Sequence, residues 1–320
     1  MQSWKAGWPN RILLYFKRKA EEMGKQADTK YRKQIALRIG SLARKALLEE
    51  VYTTPKPGLV DLCSNGAHTD MDVSVFEKSI DALFPWFVRM AEQGYTWNCS
   101  TEELFLGIRK TGILAEKKMY QITGGINTHK GLIFTLGIFC AAAGRCAREG
   151  GVLTLERLIR TEQQMTYNVL MKEIEFLKEK EPDSNGEQNL KKYGSYGVRG
   201  EAILGYPVIT KLAMPVMKEG MKRQEEWNRI KLQTLCVLMS QVEDSNVLFR
   251  KGPAAVVQMH RYAEDFLEKG GAYTEGSYKY LLEWDREYIR ENISPGGCAD
   301  SLAAVIFLTA LLREFGGIEP

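Results

Sequence analysis

The sequence predicts an all-α fold, a single globular helical domain whose functional site is formed by loops at helix ends. Three observations predict it. Apolar residues recur at helical spacing along nearly the whole chain. Alternating β-branched segments bounded by turn residues are almost absent, which disfavours a parallel sheet with crossover helices. Two runs, residues 132–143 and 302–312, are apolar on every face and so predict helices at the centre of the core.

Taken in order, Phe76, Ile80, Leu83, Phe84 and Phe87 follow the i, i+3, i+4 pattern, and Leu104, Ile108 and Ile113 follow it with looser phase. Residues 153–177 read as one long amphipathic helix, closed by the polar stretch EKEPDSNGEQN, expected to be an exposed loop. Further helices fit 202–222, 225–241, 253–269 and 277–291. Pro207 would kink the first of these unless it lies in a first turn or a break. No repeat of fixed period is visible.

At 320 residues, 44% hydrophobic and 26% charged, the chain has the composition of a soluble globular protein with one or two cores. Its net charge of +4 is unevenly spread. The first 45 residues carry twelve Lys/Arg against three Asp/Glu, or +9, which leaves −5 for the remainder. The plain account of that basic arm is a solvated amphipathic helix; attraction to nucleic acid or an anionic membrane is the alternative. No signal peptide is expected, and both apolar runs are too short to span a bilayer. Six cysteines (63, 99, 140, 146, 236, 298) form no CxxC pair and no metal spacing with the three histidines. Free thiols in a reducing cytoplasm are the simplest reading.

Four junctions between helices are dense in Gly, Pro, Asn, His and Asp: TPKPGLVD with NGAHTDMD (54–72), TGGINTHKG (123–131), EDSNVLFRKG (243–252) and SPGGCAD (294–300). Ordinary bundle connections need no such chemistry, so a composite site at the helix ends is expected. In TGGINTHKG, Asn127 or Thr128 can cap the following helix, Gly124 and Gly125 allow close approach of a phosphate, and Lys130 adds charge. An ordinary capped helix with a hydrogen-bonded His129 explains the same residues. Asp61, His68, Asp70 and Asp72 offer hard oxygen ligands suited to Mg²⁺ with substrate phosphates; Asp70 or Asp72 can instead be a helix N-cap. Asp244, Asn246 and Arg250 suit a metal, a ribose hydroxyl and a phosphate, or else Asp244 and Arg250 form a local ion pair. Asp300 is a site carboxylate or a cap, Cys298 a nucleophile without a nearby His or a core filler. In GVRGEAILGYP, Glu201 is an acid/base or a first-turn residue complementing the helix dipole.

TPKPGLVD, GAHTDMD, GGINTHKG, GRCA, GVRGEAILGYP, DSNVLFRKG and SPGGCAD, in this order, resemble the triphosphoribosyl-dephospho-CoA synthase family. The similarity runs over about residues 47–312 and leaves the basic arm uncovered. Arg250, Lys251 and Gly252 stand where the family has Arg-Gly-Gly, and Ser245 and Cys298 where it has Thr and Ser. Charge and periodicity together make a basic helical extension (1–45) before one all-α domain (46–320) the economical reading, and the resemblance makes that domain catalytic. It also implies the reaction ATP + 3′-dephospho-CoA → 2′-(5″-triphosphoribosyl)-3′-dephospho-CoA + adenine, with Mg²⁺. The product would be the prosthetic-group precursor for the acyl carrier protein of citrate lyase, or of malonate decarboxylase in a sister branch.

On that reading Asp61, Asp70, Asp72 and Asp300 hold the metal, and His68, His129, Asp244 and Glu201 handle protons or the cationic ribose. Lys56, Gly124, Gly125, Asn127, Thr128, Lys130, Arg199, Asn246, Arg250, Gly296 and Gly297 bind substrate. No nucleic acid or membrane partner is expected, and oligomeric state is left open, a homodimer included. One rival is a metal-dependent nucleotide hydrolase or phosphotransferase using the same residues. Another is an RNA-binding module built on the arm with Trp4, Trp8 and Tyr15.

Overall fold

Helix is the local preference of almost every segment, and where it stops a capping residue stops it. The computed structural model describes residues 8–316, with side chains from Thr29 onward, so Trp4 and the side chains of Trp8 and Tyr15 lie outside what is described. Thirteen α-helices and no strand occur among the described residues. They are α1 (Trp8–Val51), α2 (Val73–Thr96), α3 (Thr101–Thr123), α4 (Lys130–Glu149), α5 (Leu155–Glu179), α6 (Asn185–Tyr193) and α7 (Gly197–Ile203). After a π-helical stretch (Val208–Ala213) follow α8 (Met214–Lys222), α9 (Trp227–Gln241), α10 (Ser245–Lys251), α11 (Pro253–Glu268), α12 (Ser277–Glu291) and α13 (Gly296–Phe315).

The two apolar runs are the central helices, α4 and α13. Residues such as Leu136, Phe139 and Cys140 of α4 and Leu302, Val305 and Phe307 of α13 are fully enclosed. Each large side chain among them contributes about 1.5–3 kcal/mol on leaving water. Among the described residues α4 alone is long and apolar enough to cross a membrane, longer than the apolar run by itself implies. With 78% of that stretch buried by other helices, it occupies the setting of a core helix. Helix α4 lies against α2 at close range because small residues face each other. A Cβ on Gly94 would press into the carbonyl oxygen of Ala141, and one on Gly144 into that of Ala91. Gly144 therefore belongs to packing, and Arg145 beside it holds the main-chain oxygens of Trp97 and Cys99 at the end of α2.

Three sequence expectations change. The boundary expected at residue 45 falls inside α1, whose Ile35, Ala36, Ile39 and Ala43 are buried in the core against α2. The second half of EKEPDSNGEQN is helix α6, because Ser184 caps Glu187 N–H at its start and Gly194 ends it in the left-handed conformation. The single helix expected over 202–222 is broken: Gly205 and Tyr206 both take positive φ, +74° and +54°, ahead of Pro207. All six cysteines are unpaired.

Candidate active site

The four unusual junctions meet. Gly58 N–H, in the loop after α1, donates to Asp285 Oδ1 of α12 at 2.8 Å, and Ser64 Oγ donates to Asp285 Oδ2 at 2.9 Å. From the same loop His68 Nε2 lies 2.9 Å from Ser294 Oγ, ahead of α13. Arg250 of α10 reaches Ala67 O and Asn292 Oδ1, each at 3.4 Å. The starts of α4 and α13 are adjacent, since a Cβ on Gly131 would lie 2.7 Å from Asp300 Oδ2. Gly296 and Gly297 are small because Asn246 and Asp244 sit directly against them.

Asp244 explains why α10 and α13 start where they do. Its Oδ1 accepts from Asn246 N–H (2.9 Å) and Val247 N–H (3.1 Å), and its Oδ2 from Cys298 N–H (2.8 Å), so one enclosed carboxylate caps two helices. Burial raises its pKa, and the three main-chain donors oppose the rise. It forms no ion pair with Arg250; the local-pair alternative does not occur.

Lys56 is almost wholly enclosed. Its ammonium is held by Glu50 Oε1 (2.5 Å) and the Glu50 carbonyl (2.8 Å). Burial pushes the Glu50 carboxyl up while Lys56 pulls it back. Lys231 pairs with neighbouring Glu49 at 2.9 Å and fastens the end of α1 to α9.

Asp300 differs from these. No hydrogen-bond donor reaches it among the described residues, and its pKa is driven well above the carboxylate range by burial and by the nearby charges of Glu50 and Asp244. It is deep among protein atoms yet keeps part of its own surface open.

The other expected metal ligands are occupied elsewhere. Asp61 accepts from Lys56, Cys63 and Ser64 N–H groups and shapes its own loop. Asp72 is the N-cap of α2, bonded to Val75 N–H, and Asp70 is exposed beside His68. Among the described residues no group of three His, Cys, Asp or Glu is set to hold a metal. Of the four residues expected to bind Mg²⁺, Asp300 alone is enclosed with no hydrogen-bond donor among the described residues. Such an ion is commonly held by one or two carboxylates together with phosphates and water.

The remaining expected residues divide between site and scaffold. His129 is enclosed at the start of α4, its Nδ1 2.9 Å from Ser79 Oγ and 3.0 Å from Thr128 Oγ1. Burial, then the charge of Lys56, lowers its pKa to about 3, so it stays neutral at working pH and is no general acid. Burial and then Arg250 also lower His68. Asn127 Oδ1 accepts from Lys130 N–H, Lys130 pairs with Glu116 on the surface, and Gly124 and Gly125 are exposed turn residues with left-handed φ. Arg199 pairs with Glu173 of α5 at 3.0 Å, and Glu201 accepts from Val208 N–H across the break between α7 and the π-helical stretch, both away from Asp300 in sequence and contact. Glu50, Ser79, Asp285 and Ser294 were not anticipated. Ser294 opens the SPGGCAD junction and Asp285 is a carboxylate on the buried stripe of Leu281, Trp284 and Tyr288, whereas Glu50 and Ser79 left no signal.

The family model of ATP:dephospho-CoA triphosphoribosyl transferase matches residues 36–318. The chain belongs to that family. A relative from Klebsiella pneumoniae, 2-(5″-triphosphoribosyl)-3′-dephosphocoenzyme-A synthase, is 37% identical over 84% of this chain and 89% of its own length. A protein of the same name from Escherichia fergusonii is 36% identical over 85% and 90%. No solved structure matches. The family match begins inside α1, at the residues that enter the core.

Proposed function

We propose that this chain transfers the 5-triphosphoribosyl group of ATP to the ribose 2′-hydroxyl of 3′-dephospho-CoA and releases adenine. The observation that carries the reading is the family match over residues 36–318, nearly the whole chain. In the reaction the C1′–N9 bond breaks with its electron pair leaving on adenine, and a C1′–O2′ bond forms. The acceptor hydroxyl loses a proton and adenine gains one.

The residues suit each step. Positive charge develops at the ribose, and the carboxylate group of Asp300, Asp244 and Glu50 would stabilise it in a site of low dielectric. Arg250 and the first-turn N–H groups of α4 and α13 would bind phosphate oxygens. Asp300 would hold Mg²⁺ entering with the nucleotide, and that ion would neutralise the polyphosphate. His68, neutral because its pKa is lowered, would take the proton of the acceptor hydroxyl. The citrate lyase or malonate decarboxylase acyl carrier protein would receive the product downstream.

Chromatography of the released base tests the reading. Adenine should appear only when 3′-dephospho-CoA accompanies ATP and Mg²⁺; phosphate or pyrophosphate without adenine would instead support a hydrolase or phosphotransferase.

A further inference from the structure

Counting the hydrogens around His129 shows which tautomer satisfies its neighbours from within the protein. Three polar atoms form a closed triangle: Ser79 Oγ to Thr128 Oγ1 at 2.7 Å, Ser79 Oγ to His129 Nδ1 at 2.9 Å, and Thr128 Oγ1 to Nδ1 at 3.0 Å. Neither hydroxyl has another partner. If Nδ1 is an acceptor, Ser79 donates to it, Thr128 donates to Ser79, and both hydroxyl hydrogens have a place. If Nδ1 carries the hydrogen, one hydroxyl hydrogen is left without an acceptor in the triangle, and only that of half-buried Thr128 can turn outward. The first arrangement puts the ring hydrogen on Nε2. That atom is buried and has no partner among the described residues, while Phe76 packs edge-on against the ring at 5.1 Å and holds its orientation. A buried donor with no acceptor is rare in a finished fold.

We propose that His129 is a fixed, neutral Nε2–H donor to an acceptor atom of the bound nucleotide, and that Ser79 and Thr128 are the positioning residues that set its tautomer. The inference rests on the proposed nucleotide chemistry for its ligand, though not for the tautomer. Lys56, the charged group acting on the ring, works in the same direction by opposing protonation.

The test is nitrogen NMR of the full chain labelled at histidine, which carries three such residues. His260 supplies an internal standard, because its Nε2 lies 2.9 Å from the carbonyl of Val242 and must carry the hydrogen. The His129 signals, assigned by their loss in His129→Gln, should show the same tautomer as His260. Saturating Mg·ATP without dephospho-CoA should shift the Nε2–H signal. Separate titrations with inorganic triphosphate and with adenosine then tell a phosphate acceptor from a base or ribose acceptor. In binding assays His129→Leu should weaken ATP roughly tenfold, and His129→Gln, which keeps an amide donor, should lose much less. Ser79→Ala should mix the tautomers and raise KM for ATP more than it lowers kcat.

An Nδ1–H tautomer, an imidazolium at neutral pH, or an Nε2–H signal unmoved by ATP in a chain that forms product would each overturn the inference. A shifted signal in a chain that releases no adenine would sustain it and sink the transferase reading instead.

Discussion

Lys56 and Asp300 are both charged residues deep in the protein, and their surroundings assign them opposite tasks. Lys56 is answered by a carboxylate and a carbonyl, so it is part of the scaffold. Lys56→Met would leave Glu50 buried without its partner and should cost about 3–5 kcal/mol by denaturant unfolding. Asp300 is answered by nothing but like charge. Asp300→Asn should therefore leave stability equal or higher, yet lower kcat/KM by at least roughly 100-fold. A variant that lost stability and activity together would make Asp300 structural. His68 sets the pH dependence: because its pKa is lowered, the acid limb of kcat/KM should have its midpoint below that of an ordinary histidine. That limb should vanish in His68→Asn. At this scale the sequence was informative where a helix ends. Asp244, His68 and Arg250 stand in junctions whose Gly, Pro and Asn content has no use in a bundle. Glu50 and Ser79 sit inside helices among ordinary residues, and only contacts across the fold give them a partner.

Between elements, the fit of α4 to its neighbours carries two consequences. Against α2, Gly144→Ala would drive a methyl into the rigid carbonyl of Ala91 and should destabilise by about 1–3 kcal/mol, read as a fall in Tm. Against α5, Glu162 is enclosed with one oxygen unpartnered among the described residues, close enough to Tyr206 to act on its hydroxyl. Burial raises its pKa to about 8. The folded chain thus keeps a proton that the unfolded chain releases near pH 4.5, so the stability from this group is whole below pH 4.5. It declines by about 1.4 kcal/mol per pH unit as pH rises towards 8. Glu162→Gln should remove that decline, and the difference in Tm between the two chains should widen from pH 5 to pH 8 in favour of the variant. Helix positions were legible from periodicity for α2, α3, α5, α9, α11 and α12. α6 was missed because its caps lie in a polar stretch with no apolar stripe, and the break before α8 because tertiary contacts settle Gly205 and Tyr206.

At the scale of the whole molecule, α1 is continuous from a basic stretch into the core, and charge alone made it look separable. Ile35 and Ile39 lie against α2 in the same cluster that holds Leu47 and Val51. Each contributes about 1.5–3 kcal/mol, a large part of the net stability of a folded domain. Deleting residues 1–45 should therefore abolish cooperative unfolding by circular dichroism, whatever the fate of activity. The all-α class and the meeting of four loops were predictable because helix ends are marked in sequence. The register that brings Gly131 to Asp300 and Asp244 to Cys298 was not, since it depends on how α4, α10 and α13 pack. The most direct measurement is mass spectrometry of 3′-dephospho-CoA after incubation with this chain, ATP and Mg²⁺. The account predicts an adduct carrying triphosphoribose, formed in equal amount with free adenine and missing with Asp300→Asn. Unmodified 3′-dephospho-CoA beside hydrolysed ATP would contradict it.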